Sequence, residues 1–161
     1  MKKIVGIDPG LAGTGIGVVQ GNNLDIHGYS FGSISTSSKD AAPVRLNHIY
    51  SKIKVFLEQQ RPDLVVIEDI YSLEKYPGSG IMLGKVSGVL LLAAFKAGAK
   101  IREVSVREVK KIVTGNGSAD KHQVERSVRH LLNHDGPIRP FHASDALGLA
   151  ITGLYRYGTE R

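Results

Sequence analysis

Cysteine is absent from the 161 residues, which excludes disulfides, cysteine-ligated zinc and thiol nucleophiles and suits a reducing cytosol. Long apolar runs are missing as well: the longest, 89–95, is far shorter than the ~20 residues a membrane-crossing helix needs. The stretch from Met1 through Ile7 meets the carboxylate of Asp8 too early to form a signal-peptide core. A soluble, cytoplasmic protein is expected. Internal repeats, low-complexity tracts and linker-like stretches are also lacking. The expected organisation is therefore a single domain over residues 1–161, long enough to bury a full core around one site.

What is present leans basic. Lys and Arg number 21 against 15 Asp and Glu, a net charge of +6, with a sequence pI of about 9.6. That balance favours a polyanionic partner through phosphate neutralisation without identifying one, since many basic proteins bind no nucleic acid.

Apolar periodicity lays out the elements. Residues 3–7 read as a buried strand that ends at the turn Asp8-Pro9-Gly10. Strands at 15–20 and 24–34 follow, joined by a hairpin turn at Gly21-Asn22-Asn23. After a polar loop at 35–42, Leu46, Ile49, Tyr50, Ile53, Phe56 and Leu57 recur at helical spacing until Pro62. The all-apolar strand 64–67 suits a sheet covered on both faces and delivers Glu68 to its end. A loop at 72–80 precedes a helix at 81–96 that is apolar around much of its circumference, so one stripe faces the core and another needs a second cover. A partner subunit is the simplest cover. A strand at 101–106 and helices at 107–114, 119–132 and 142–156 complete the chain. The order predicts an α/β fold with a mixed sheet flanked by helices.

Three carboxylates stand out. Asp8 and Glu68 end buried strands, and Asp145 lies on the last helix. Carboxylates placed this way stay ionised only when paired or metal-bound, because an unpaired buried charge is costly. Hard oxygen ligands favour Mg²⁺ or Mn²⁺, and two such ions about 3.5–4 Å apart activate water and stabilise the leaving oxygen in phosphodiester cleavage. His142 precedes Asp145 by one helical step, on the same face. Taken singly, each has an ordinary explanation: Asp8 in a turn, Glu68 at a solvated strand end, His142 at a helix start. Their joint order is what points to a site.

The segment Gly6-Ile7-Asp8-Pro9-Gly10 with Thr14-Gly15, the strand end Ile67-Glu68, the stretch from Gly115-Asn116-Gly117-Ser118 through Asp120-Lys121, and Ala143-Ser144-Asp145-Ala146-Leu147 resemble the RuvC family of crossover-junction endodeoxyribonucleases. The likeness runs from residue 4 to about 152, with the motifs in the family's order and spacing. It implies a ribonuclease H-like fold with a five-stranded sheet, and a homodimer with its contact on the 81–96 helix, where Gly84 and Gly88 allow close approach. It implies symmetric nicking of a four-way (Holliday) junction in recombination and repair, with a branch-migration complex of the RuvA and RuvB type as partner. Asp8, Glu68 and Asp145 match the family's acidic metal ligands, and His142 stands where many members carry another aspartate. Lys110 and Lys121 match lysines near the catalytic centre, for phosphate contact or charge stabilisation. Tyr71 matches an aromatic that stacks on a base near the crossover. The Gly115-Asn116-Gly117-Ser118 turn leads into a helix whose amides are candidates for a phosphate.

Three other functions fit parts of this pattern. An ATP-dependent phosphotransferase of the actin and sugar-kinase type also opens on a strand, an acidic residue and a Gly-rich turn. It needs two related domains, and no second copy of Ile7-Asp8-Pro9-Gly10 occurs. A catalytically silent junction-binding module and a ribonuclease H-like enzyme acting on RNA share the carboxylates, so substrate choice rests on the family resemblance.

Overall fold

The structure is a computed structural model that describes residues 1–70 and 77–159. It has the expected mixed five-stranded sheet, in the order β3-β2-β1-β4-β5. Strands β1 (Lys2–Asp8), β2 (Gly13–Asn22) and β3 (Asp25–Ser35) form an antiparallel meander. Helix α1 (Ala42–Gln60) then crosses over to β4 (Leu64–Glu68), which lies parallel to β1. Helix α2 (Pro77–Lys96) leads to β5 (Ile101–Val104), parallel to β4. Helices α3 (Val106–Thr114), α4 (Lys121–Leu131) and α5 (Phe141–Tyr157) complete the described chain.

The all-apolar strands follow from two-sided burial. Val5, Ile7, Val65 and Ile67 face a core built with Ile49, Ile53 and Leu57 of α1 and with Val86 and Leu90 of α2. Ile4, Leu64 and Val66, the alternate positions, face the opposite core of α3, α4 and α5, which includes Val109, Val128, Leu147 and Leu154. The sheet is thus the middle of three layers. Because β1 and β4 are parallel and in register from Ile4 opposite Leu64 to Ile7 opposite Ile67, the next residue of each, Asp8 and Glu68, emerges at the same end.

Several expected boundaries move. The loop expected over 72–80 ends earlier, because α2 starts at Pro77, and proline is well suited to a first helical turn whose N–H needs no partner. The β2–β3 turn is Asn23-Leu24, with Asn22 paired to Asp25 and Asn23 at φ 54°, while Gly21 stays in the strand beside a register shift. Asparagine tolerates that left-handed conformation better than most residues.

Helix α2 carries more apolar surface than its longest run suggests. By length and composition alone, Gly78–Lys96 meets the requirement for crossing a membrane, with a mean hydropathy of 1.6. One side, through Val86, Leu90, Ala93 and Ala94, is buried in the core against α1 and the sheet. On the other side Ile81 (64%), Leu92 (47%) and Phe95 (73%) are exposed. Between them a side chain built at Gly84 or Gly88 would meet nothing.

Candidate active site

Asp8 and Glu68 reach the site from the ends of neighbouring parallel strands, while His142 and Asp145 come from the first turns of α5. A row of glycines makes the second delivery possible. A Cβ at Gly6 would strike the Ala146 carbonyl, one at Gly15 the His142 carbonyl, and one at Gly17 the backbone of Ala146 and Leu147. With no side chains between them, α5 lies directly on β1 and β2, and its small buried residues Ala143, Ser144 and Ala146 complete the close approach. The β1–β2 turn is braced by buried Thr14, whose hydroxyl donates to the Gly10 carbonyl at 2.8 Å. Gly6 and Gly15 belong to the motifs that carry the family resemblance, but the seat they form with Gly17 for α5 is not evident from those motifs. Alternation at Gly13, Gly15 and Gly17 within a strand was the available signal, since strand glycine commonly marks a close backbone approach.

The four side chains line one cleft of about 320 Å³ together with Lys110 of α3 and Lys121 of α4. Val106, Val109, Val124 and Leu149 make up its apolar wall. Asp8 and His142 are joined by a 2.7 Å hydrogen bond from Nδ1 to Oδ2. This bond, chiefly, raises the imidazole pKa above its ordinary value, against the opposing effect of partial burial. Burial, then repulsion from Asp8 and a hydrogen bond with it, push Glu68 up to about 8. Burial and the Asp8 charge push Asp145 up to about 6, while His142, Lys110 and Lys121 pull it down. Burial and mutual repulsion thus disfavour full ionisation of the three carboxylates together, an environment that a bound cation would relieve.

Whether a divalent ion fits can be judged from the donors. Three carboxylates and an imidazole on one cleft are a suitable donor set for Mg²⁺ or Mn²⁺. Among the described residues, no three Asp, Glu, His or Cys side chains are clustered tightly enough to enclose one ion. An open arrangement of this kind is usual where water and substrate phosphates complete the coordination of Mg²⁺.

Lys110 and Lys121, which the resemblance sets near the catalytic centre, line the cleft. Tyr71 lies outside the described residues. The turn before α4 is a correction. The amides of His122 and Gln123 are already taken by the Asp120 carboxylate at 2.9 and 2.8 Å, and the Gln123 side chain accepts from the Asp120 N–H in return. This capping box supplies the negative charge that a phosphate would bring, so the α4 N-terminus is filled from within.

Comparison with known proteins bears on the family and the fold. The family model described as "Crossover junction endodeoxyribonuclease RuvC" matches residues 4–153. A relative of that description from Vibrio atlanticus is 39% identical over 153 residues, covering 94% of this chain and 86% of its own. Another, from Prosthecochloris aestuarii, is 35% identical over 151 residues, covering 94% and 80%. Thermus thermophilus RuvC in complex with a Holliday junction substrate superposes with a TM-score of 0.88 at 29% identity, over 96% of this chain and 94% of that one. The yeast mitochondrial Holliday junction resolvase Ydc2, at 11% identity and a TM-score of 0.64 over 94% of this chain and 78% of its own, shares the fold. With a family match over nearly the whole chain, relatives well above 30% identity and a ribonuclease H-like sheet that superposes on a solved member, this chain belongs to the RuvC family of crossover junction endodeoxyribonucleases.

Proposed function

We propose that this chain resolves four-way DNA junctions by paired symmetric nicks, as a homodimer, in recombination and repair. The observation that carries the reading is the gathering of Asp8, Glu68, His142 and Asp145 with Lys110 and Lys121 in one open cleft at the C-terminal ends of β1 and β4. The junction-bound T. thermophilus relative supports the choice of substrate. Asp8, Glu68, His142 and Asp145 would hold Mg²⁺ or Mn²⁺, two ions per site, which when bound supply activation of water and stabilisation of the leaving oxygen. Lys110 and Lys121 bring fixed positive charge from α3 and α4, in the layer that also carries α5, where it orients the scissile phosphate and offsets charge developing on it. Tyr71 keeps the base-stacking role that the resemblance implies. The cytoplasm and a RuvA- and RuvB-type branch-migration complex complete the setting. Incubating a labelled four-way junction, a linear duplex and an RNA–DNA hybrid in Mg²⁺ and in Mn²⁺, then mapping nicks, tests the reading. Paired nicks confined to the junction are expected, whereas binding without nicking, or preferential hybrid cleavage, would overturn it.

The uncovered side of α2 supports the dimer, since Ile81, Leu92 and Phe95 flank two glycines that leave the helix open to close approach. Leu92→Glu is expected to leave the fold intact and to raise the dimer dissociation constant by ~10²-fold, because the charge enters only the contact. Leu90→Glu is expected to unfold the chain instead, Leu90 being fully buried in the core. Sedimentation at micromolar concentration distinguishes these outcomes; a wild type that sediments as a monomer would remove the dimer.

His142 makes a separate forecast. Its hydrogen bond to Asp8 occupies Nδ1 and leaves Nε2 as the nitrogen for a cation, an arrangement in which a carboxylate orients a ligating ring. Protons and cations compete for this group, and its raised pKa means protonation persists above pH 6.5. Wild-type cleavage should therefore fall on acidification from a higher pH, and more steeply, than that of His142→Asp. The variant should stay active and shift from Mn²⁺ toward Mg²⁺, since carboxylate is the harder ligand. Loss of activity in both metals would instead make His142 a proton acceptor for the attacking water. Rate profiles of the two proteins across pH in each metal check this.

A further inference from the structure

Phe141 is the first residue of α5, directly before His142, and three polar side chains converge on its ring. The Arg139 guanidinium carbon lies 4.2 Å from the ring centroid and the Lys121 Nζ 4.9 Å, while His122 meets the ring edge-on at 5.2 Å. Lys121 lines the catalytic cleft. Arg139 does not, so the ring carries a cation from the cleft and a second one just outside it. Among the described residues, neither cation lies within salt-bridge distance of a carboxylate.

How Arg139 is held decides what it can do. Its NH1 donates to the Ile138 carbonyl at 2.9 Å. Ile138 is fully buried, and its N–H is fixed at 2.9 Å by the buried carboxylate of Glu125. The base of the side chain is therefore anchored in the core while the side chain itself stays exposed. The guanidinium carbon lies over the ring, and among the described residues the Ile138 carbonyl is the one hydrogen-bond partner of its N–H donors. An exposed arginine ordinarily loses much rotamer freedom when it grips a ligand, and one already clamped on a ring and a carbonyl loses less. What remains is a forked donor with no anion of its own, and a phosphodiester oxygen pair is the group that best matches it.

We infer that Arg139 is a DNA-phosphate contact flanking the scissile phosphate, and that Phe141 is a positioning residue which holds Arg139 and Lys121 as a two-cation clamp at the rim of the cleft. The inference rests on the junction-cleaving reading above. It predicts a role in grip rather than chemistry, because neither Arg139 nor Phe141 lines the cleft where the carboxylates stand.

The test is the salt dependence of binding to a labelled four-way junction in metal-free buffer, with single-turnover nicking measured separately. Arg139→Ala should weaken binding by ~3–10-fold and lower the slope of log affinity against log salt by about 1, as loss of one phosphate contact does. Arg139→Lys, which keeps the charge, should retain the slope. Phe141→Leu should lower affinity and slope at least as much as Arg139→Ala, and Phe141→Tyr, which keeps the ring, should restore both. For Arg139→Ala the nicking rate at saturating protein should stay near wild type, with the defect confined to the concentration needed. A residue that merely packs against Phe141 would alter the melting temperature and leave the slope unchanged. An unaltered slope and affinity in Arg139→Ala, beside a wild type that binds with a normal slope, overturns the inference alone. Failure of the wild type to bind the junction overturns the functional reading and the inference with it.

Discussion

Asp8→Asn, Glu68→Gln and Asp145→Asn are each expected to lower junction nicking by ~10²–10³-fold or more while junction binding stays within a few fold of wild type. In the proposed function binding draws on phosphate contacts from basic residues and cleavage on carboxylates that would hold the ions, so the two are expected to separate. For Glu68 the loss of activity should come with a gain in stability. Its carboxyl sits near 8 in the folded chain against an ordinary 4.5, so between those values the folded state binds more protons than the unfolded state. Stability contributed by this group is then fully present below about pH 4.5 and declines as pH rises through 8. Glu68→Gln removes the declining part. In the absence of divalent ions at pH 8 it should stabilise the protein by an amount on the order of 2 kcal/mol, a rise of several degrees in melting temperature. Adding Mg²⁺ or Mn²⁺ should raise the melting temperature of the wild type and leave that of the variant nearly unchanged. Calorimetry with and without the ion, beside a nicking assay, reads both effects. Normal nicking by any one variant would remove that residue from the catalytic set.

The parts of this molecule legible in the sequence are those set by local pattern. Residues 64–67 are apolar without alternation, and the strand there is covered on both faces. Helix α1 follows the spacing of Ile49, Ile53 and Leu57, all of them fully buried. Asp8, Glu68, His142 and Asp145 were found because strand ends and helix faces can be counted along a chain, and the structure brings all four together with Lys110 and Lys121. Illegible features depend on what lies across the fold. That Leu90 faces the core while Leu92 faces outward depends on where α1 packs, which the even spread of apolar residues around α2 does not reveal. The capping carboxylate of Asp120 was visible three residues before Gln123, yet only its hydrogen bonds show that it excludes a phosphate from α4. The pairing of Arg139 with Lys121 through Phe141 joins two helices and a loop, and spacing gives no sign of it.

Gly15→Ala, the addition of a single methyl, is expected to lower both stability and nicking. Gly15 pairs with Asp8 across β1 and β2 and with Ser33 across β2 and β3, so its backbone is held from both sides and has little room to retreat. The added Cβ would overlap the carbonyl of His142, which is backbone at the start of α5 and cannot swing aside as a flexible side chain would. Relief requires the first turn of α5 to lift from the sheet, and that turn carries His142 and, one step on, Asp145. The same turn holds Ala143 and Ala146 in fully buried positions, so lifting it opens the core as well. Overpacking of this kind costs about 3 kcal/mol. Displacing a catalytic group by about 1 Å is enough to lower the rate by ~10²-fold even in chains that remain folded. Gly32→Ala is the matched control, because a Cβ there meets nothing within 4 Å, and it should change stability by no more than about 0.5 kcal/mol in either direction. Urea denaturation of both variants, with nicking measured under conditions where each is folded, compares the two positions directly. Wild-type stability and activity in Gly15→Ala would show that α5 is not seated on β2 through its backbone and that some other contact brings His142 and Asp145 to the strand ends.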